Sequence, residues 1–231
     1  TILKDQFGVK NNYLACLDVI SLMIKAIEKP LVTNNMTTKW TRISWDDIDP
    51  TVMVDDDGTA YIFWGNTQLY YARPNMVELD SEVMTIDIPG IHQPSLPAEK
   101  QEALMKLNKQ ADKQAHKDYD FFTEAPWIHK HKGWYYLTFS VGFPEKTAYA
   151  MSKSINGPWE YKGILNEIAG NCNTNHHAIV KFKGEWYFIY HNGGINTAGS
   201  SFRRSVCIDR LYYKKNGELK RIQMTSEGIW Q

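Results

Sequence analysis

The stretch Glu124-Ala-Pro-Trp-Ile-His-Lys-His-Lys-Gly-Trp-Tyr-Tyr-Leu-Thr-Phe139 reads as two β-strands joined by a tight turn. A glycine beside a polar residue, here Lys132-Gly133, supplies the positive φ that a short hairpin turn needs, and the runs on either side supply the strands. The same pattern lies on both sides of it. Asp49-Pro-Thr-Val-Met-Val54 leads through Asp57-Gly58 to Ala60-Tyr-Ile-Phe-Trp64, and His176-His-Ala-Ile-Val-Lys181 leads through Lys183-Gly184 to Glu185-Trp-Tyr-Phe-Ile-Tyr190.

Each of the three first strands opens on an ionisable residue. Asp49 stands nine residues before Gly58, Glu124 nine before Gly133 and His176 eight before Gly184, so three unlike groups are expected at one structural position. The intervals of 75 and 52 residues suit a repeat architecture, and propeller blades of about 40 to 50 residues with insertions fit them. In a propeller the first strand of each blade lines the central channel, so Asp49, Glu124 and His176 are expected to meet at one end of it. Any one of them alone reads as a loop residue before a strand; three in register point to a shared site.

Further strands are expected at Gln68 to Arg73, Thr147 to Ser152 and Ser205 to Tyr213, the last turning at Asn216-Gly217. Two segments break the β pattern. Tyr13 to Ile27 places Leu17, Ile20, Ile24 and Ile27 on one helical face, and Ala98 to His116, behind Pro97, reads as a polar surface helix between blades.

At 231 residues one domain is the default expectation. Lys and Arg number 26 and so do Asp and Glu, which leaves no net field to recruit nucleic acid or an acidic membrane surface. No run reaches the roughly 20 apolar residues of a membrane span. Cys16, Cys172 and Cys207 form neither a disulfide framework nor a zinc-ligand spacing, and they leave the compartment open between secreted, periplasmic and cytoplasmic. Aromatic residues make up 13% of the chain, which suits surfaces that stack on sugar rings.

From about Lys29 to Trp230 the chain resembles glycoside hydrolase family 43, specifically its α-L-arabinofuranosidase and β-xylosidase members. The motifs are Asp47-Ile-Asp-Pro-Thr-Val with Asp56-Asp-Gly-Thr-Ala-Tyr and Phe63-Trp-Gly, then Phe122-Thr-Glu-Ala-Pro-Trp, then Asn175-His-His-Ala-Ile-Val with Trp186 to His191. The resemblance implies an all-β fold, a five-bladed β-propeller acting on terminal arabinofuranosyl or xylosyl residues of plant hemicellulose by an inverting mechanism. Glu124 then resembles the general acid and Asp49 the aspartate that orients and tunes it. His176 resembles the histidine that helps hold a hydrated cation, by implication Ca²⁺, in the channel and stands under the sugar. Arg204, in Phe202-Arg-Arg-Ser, resembles the arginine that contacts sugar hydroxyls. Trp64, Phe122 and Trp127 are the candidates for the apolar wall of the sugar pocket, with packing between blades as the alternative for each.

The departure from the family lies at the amino terminus. Residues 1–28 are expected to be an atypical helical segment and 29–231 a partial propeller domain, so the first blade and its base-bearing aspartate have no match. Asp5 and Asp18 are the early aspartates, and neither stands in the expected setting. An open arc of blades exposes apolar sides, which predicts a homo-oligomer with the 13–27 helix covering one of them. A sugar-binding propeller without catalysis and a scaffold module pairing through strand edges are the alternatives to a glycosidase.

Overall fold

Two of the three turns have two central residues in the left-handed region. Lys132 and Gly133 have φ of 48° and 72°, and Lys183 and Gly184 have 48° and 88°. That backbone twist matches the right-handed twist of the strands it joins, so His131 pairs with Trp134 and Phe182 with Glu185 directly across the turn. The first turn is longer. Val54 pairs with Ala60 across a five-residue loop, closed by the Gly58 N–H donating to Asp55 O (2.9 Å) and the Asp55 N–H donating to Thr59 O (2.9 Å).

In a computed structural model, which describes residues 48–73, 83–93, 121–194 and 203–229, these hairpins found three antiparallel sheets. The first holds β1 (Thr51–Val54), β2 (Ala60–Trp64), β3 (Tyr70–Ala72) and β4 (Met84–Thr85) in chain order. The second holds β5 (Trp127–His131), β6 (Trp134–Val141), β7 (Lys146–Ser152) and β8 (Glu160–Asn166), again in chain order. The third holds β9 (Ala178–Phe182), β10 (Glu185–Asn192) and β11 (Ser205–Arg210). The first strands face one another, with β5 beside both β1 and β9. The described residues contain no helix, and both expected helices, 13–27 and 98–116, lie outside them.

Strand β6 shows why the sheets stack. Its sequence is almost continuously apolar, and every residue from Tyr135 to Val141 is buried. A strand with only one face covered would alternate; this one has a sheet against each face. Tyr135, Leu137, Phe139 and Val141 join Tyr61, Phe63 and Tyr71 of the first sheet in one core. Tyr136, on the opposite face, joins Ile179, Phe188 and Tyr190 of the third sheet in another. Towards the end of β6 that second face turns polar, with Thr138 and Ser140, and this is where the ionisable residues gather. At the opposite corner of the first interface Lys130 donates to Asp55 (2.5 Å) and Asp56 (2.8 Å), and the Tyr135 hydroxyl also donates to Asp55.

Gly65 carries the chain out of β2 with a φ of 136°, and its N–H donates to Ile48 O (3.0 Å) beside Asp49. A Cβ there would lie 1.9 Å from the Gln68 carbonyl oxygen, so the backbone itself has to move. Gly65→Ala is expected to cost about 1–3 kcal/mol of stability, read as a lower urea midpoint at unchanged m-value.

Candidate active site

Proline fixes where the first strands begin. Pro50 precedes β1 and Pro126 precedes β5, and the residue before a proline avoids the right-handed helical region. Asp49 and Ala125 both take the left-handed alternative, with φ of 57° and 55°. An aspartate tolerates that region; an alanine is held there against its preference. The two kinks lock together, for the Ala125 N–H donates to Asp49 Oδ2 (3.2 Å).

The register of the three ionisable residues differs by one from the count back to the turn glycines. Asp49, Ala125 and His176 each stand two residues before the first strand of their sheets, and Glu124 stands one residue earlier. The longer turn after β1 accounts for the shift. Asp49 and His176 therefore meet directly, with His176 Nδ1 3.6 Å from Asp49 Oδ1. Glu124 approaches from the side, and its Oε2 accepts a hydrogen bond from Asn66 Nδ2 (2.8 Å). The Asn66 loop is fixed to the Glu124 segment by the Thr67 N–H, which donates to Thr123 O (2.8 Å).

The surroundings of Glu124 oppose its ionisation. Burial is the largest influence and raises its pKa, and the Asp49 carboxylate raises it further by like-charge repulsion. His176, the Asn66 hydrogen bond and Arg204 pull the other way. Of the two adjacent arginines, Arg204 is the one whose charge reaches Glu124; its Nη2 donates to Thr174 Oγ1 (3.3 Å).

A second tier of polar groups supports this cluster. The His176 N–H donates to His191 Nε2 (3.1 Å), which puts the His191 proton on Nδ1, 3.4 Å from Cys172 Sγ. Burial holds His191 neutral, at about 4, with the charges of Arg204 and His176 adding to the effect. His177 points the other way, into the sheet interface, where its Nε2 lies 2.6 Å from Thr138 Oγ1 and burial depresses it to about 3. Glu145 is 2% exposed, and burial pushes it up to about 8.

The apolar wall differs from expectation. Phe122 is fully enclosed against Phe139 (ring centroids 5.8 Å apart), so it has no face to offer a sugar. Trp64 is 9% exposed and stacks on Tyr70 at 5.7 Å within a cluster that includes Ile62 and Ala72. Trp127 spans two sheets, donating from Nε1 to Ile179 O (3.0 Å), which is the packing alternative. Asn66, Glu145 and His191 were not singled out in the sequence. Asn66 follows Gly65 in a recognisable motif, but Glu145 sits in a hairpin loop where a charged residue ordinarily faces water. A groove of about 400 Å³, lined by His131, Lys132, Trp134 and Tyr213 among others, opens at the turn end of β5 and β6, a strand's length from Glu124.

Comparison with known proteins shows the family. The family model of glycosyl hydrolases family 43 matches residues 33–219, and the chain belongs to that family. A β-xylosidase of Xylanibacter ruminicola is 30% identical over 193 residues, covering 76% of this chain and 58% of that protein. A xylosidase/arabinosidase of Bacteroides ovatus is 32% identical over 193 residues, covering 78% and 58%. Among solved structures, the GH43_1 enzyme of Xanthomonas citri complexed with xylose superposes with a TM-score of 0.59 at 26% identity, covering 76% of this chain and 56% of that one. The chain thus spans 58% of the length of both curated relatives.

Asp49→Asn removes the charge that raises the Glu124 pKa while keeping the side chain's shape. The Glu124 carboxyl is expected to titrate at lower pH in that variant than in wild type, followed by carbon-13 NMR of the labelled side chain.

Proposed function

We propose that this chain carries the acid side of a glycoside hydrolase site, with Glu124 as proton donor to the leaving oxygen of a terminal xylosyl or arabinofuranosyl residue. The observation that carries the reading is a half-buried Glu124 beside Asp49, in surroundings that favour its protonated form. A general acid must hold its proton until the glycosidic oxygen needs it, and such surroundings are how one carboxyl of a pair is kept protonated near neutrality. Asp49, anchored by Ala125 and His176, tunes that acid without touching the bond that breaks. Arg204 is the candidate for sugar hydroxyls, and Trp64 for the sugar face. We read the three sheets as consecutive blades of a five-bladed propeller whose first strands line the channel.

Inversion requires a second carboxylate, on the far side of the sugar, to activate water, the two standing roughly 6.5–9.5 Å apart. Among the described residues none is placed for that. Asp49 is engaged by Ala125 and His176, and Glu145 is enclosed. The reading therefore assigns the acid and its tuning residue and no base. Among the described residues no three His, Cys, Asp or Glu side chains converge as ligands, so a hydrated Ca²⁺ ion in the channel would be held through water, backbone or amide oxygens beside the His176 imidazole; no step is routed through it.

The substrate class follows from the relatives, which are named as xylosidases and arabinosidases. Hydrolysis of 4-nitrophenyl β-D-xyloside and α-L-arabinofuranoside by the chain tests the reading; sugar-dependent melting without turnover would favour a binding module. In an active preparation Glu124→Gln is expected to lower kcat on an unactivated disaccharide about 10²- to 10⁴-fold. A substrate with a nitrophenyl leaving group, which needs less protonation, should lose less. Equal losses on both would remove Glu124 from the acid role.

A further inference from the structure

Glu145 is the buried ionisable group for which the site described above has no use. It lies in the loop joining β6 to β7, at the same end of the sheet as Glu124, and reaches across to the third sheet. Its N–H donates to Asn173 O (2.8 Å), and its Oε2 accepts the Asn175 N–H (2.5 Å), so one residue grips the chain on both sides of Thr174. Ser140 makes the neighbouring grip. Its hydroxyl donates to Asn175 O (2.7 Å), while its backbone N–H donates to Glu124 O (2.9 Å) and its backbone O accepts the Thr123 N–H (2.9 Å). The Asn175 side chain closes the joint by donating to Thr147 Oγ1 (2.6 Å).

These contacts form a ring. From Glu124 the path runs through the Ser140 backbone and side chain to Asn175, along the chain to His176, across to Asp49, and back through the Ala125 N–H to the residue beside Glu124. Glu145 braces the ring at Asn175. Burial raises the Glu145 pKa most, and the charges of Glu124 and Asp49 raise it further, while the Asn175 N–H that its carboxyl accepts pulls it down.

We propose that Glu145 is a positioning residue, which grips the third sheet by donating its N–H to Asn173 O and accepting the Asn175 N–H at its carboxyl. It thereby fixes the spacing between Glu124 and the Asp49–His176 pair. The significance of that spacing rests on Glu124 being the acid, so the test reads the site without turnover. Glu145→Gln keeps an acceptor for the Asn175 N–H in nearly the same shape; Glu145→Ala removes it. The carboxyl of Glu124 is titrated by carbon-13 NMR in wild type and both variants of the full chain, with melting temperatures recorded alongside.

The expected result is a Gln variant that titrates with wild type and an Ala variant whose Glu124 titrates at lower pH, because the loosened joint lets water in and Asp49 away. An Ala variant that titrates with wild type would overturn the proposal, leaving Glu145 a filler. A Gln variant shifted down as far as the Ala variant would overturn it too, since Glu145 would then act by its charge. Should Glu145→Ala fail to fold, Ser140→Ala cuts the same joint from the other side and is expected to lower the Glu124 titration likewise; no shift there would also overturn it. Equal losses on both leaving groups in Glu124→Gln would sink the acid assignment and leave these titrations readable.

Discussion

A sheet that is apolar on both faces cannot stand alone, and the rest of the structure follows from that demand on the second sheet. Strand β6 buries alternate residues against the first sheet and the third, so the three sheets stack side by side instead of closing as a two-layer sandwich. Stacking brings β5 between β1 and β9. Once those first strands are neighbours, the residues just before them are neighbours as well. The site is thus a consequence of core packing: Asp49, Glu124 and His176 are far apart in the chain and meet because β6 has two faces to bury.

Much of this was legible. The hairpins were, because glycine beside a polar residue and alternating aromatic runs are local signals that tertiary packing does not override here. So was the gathering of Asp49, Glu124 and His176, since a residue at the start of a repeated strand inherits its position from the repeat. What misled the count was the turn after β1, where Asp55 to Thr59 form a five-residue loop and the other two turns have two central residues. Counting back from a turn glycine carries that difference into the site. Counting back from the prolines does not: Pro50 and Pro126 each stand directly before their strands, and they pair Asp49 with Ala125 and leave Glu124 offset.

The partners of the site were not legible, for a physical reason. Asn66 and Glu145 act on residues 58 and 30 positions away, and their hydrogen bonds depend on how loops from different sheets dock. A charged residue in a Phe143-Pro144-Glu145-Lys146 loop reads as solvated, and Lys146 is indeed drawn outward to Glu167 (2.7 Å). Its neighbour turns inward because the third sheet presents the Asn175 N–H, a donor that pairs with no strand and would otherwise be buried without a partner. Phe122 failed as a sugar platform for a related reason. Aromatic character marks a residue as fit for stacking, but only the assembled core decides whether a second sheet reaches it first.

Burial bears on the chemistry as well as on the fold. Ala125, next to Glu124 in the chain, is fully buried, and burial outranks the Asp49 charge in raising the Glu124 pKa. Asp49 and His176 face each other at 3.6 Å, and their charges act on the Glu124 pKa in opposite directions. Desolvation depends on no neighbour's charge, since water excluded by packing stays excluded at every pH at which the fold persists. Burial and Asp49 both favour the protonated carboxyl of Glu124, and His176, Asn66 and Arg204 oppose them.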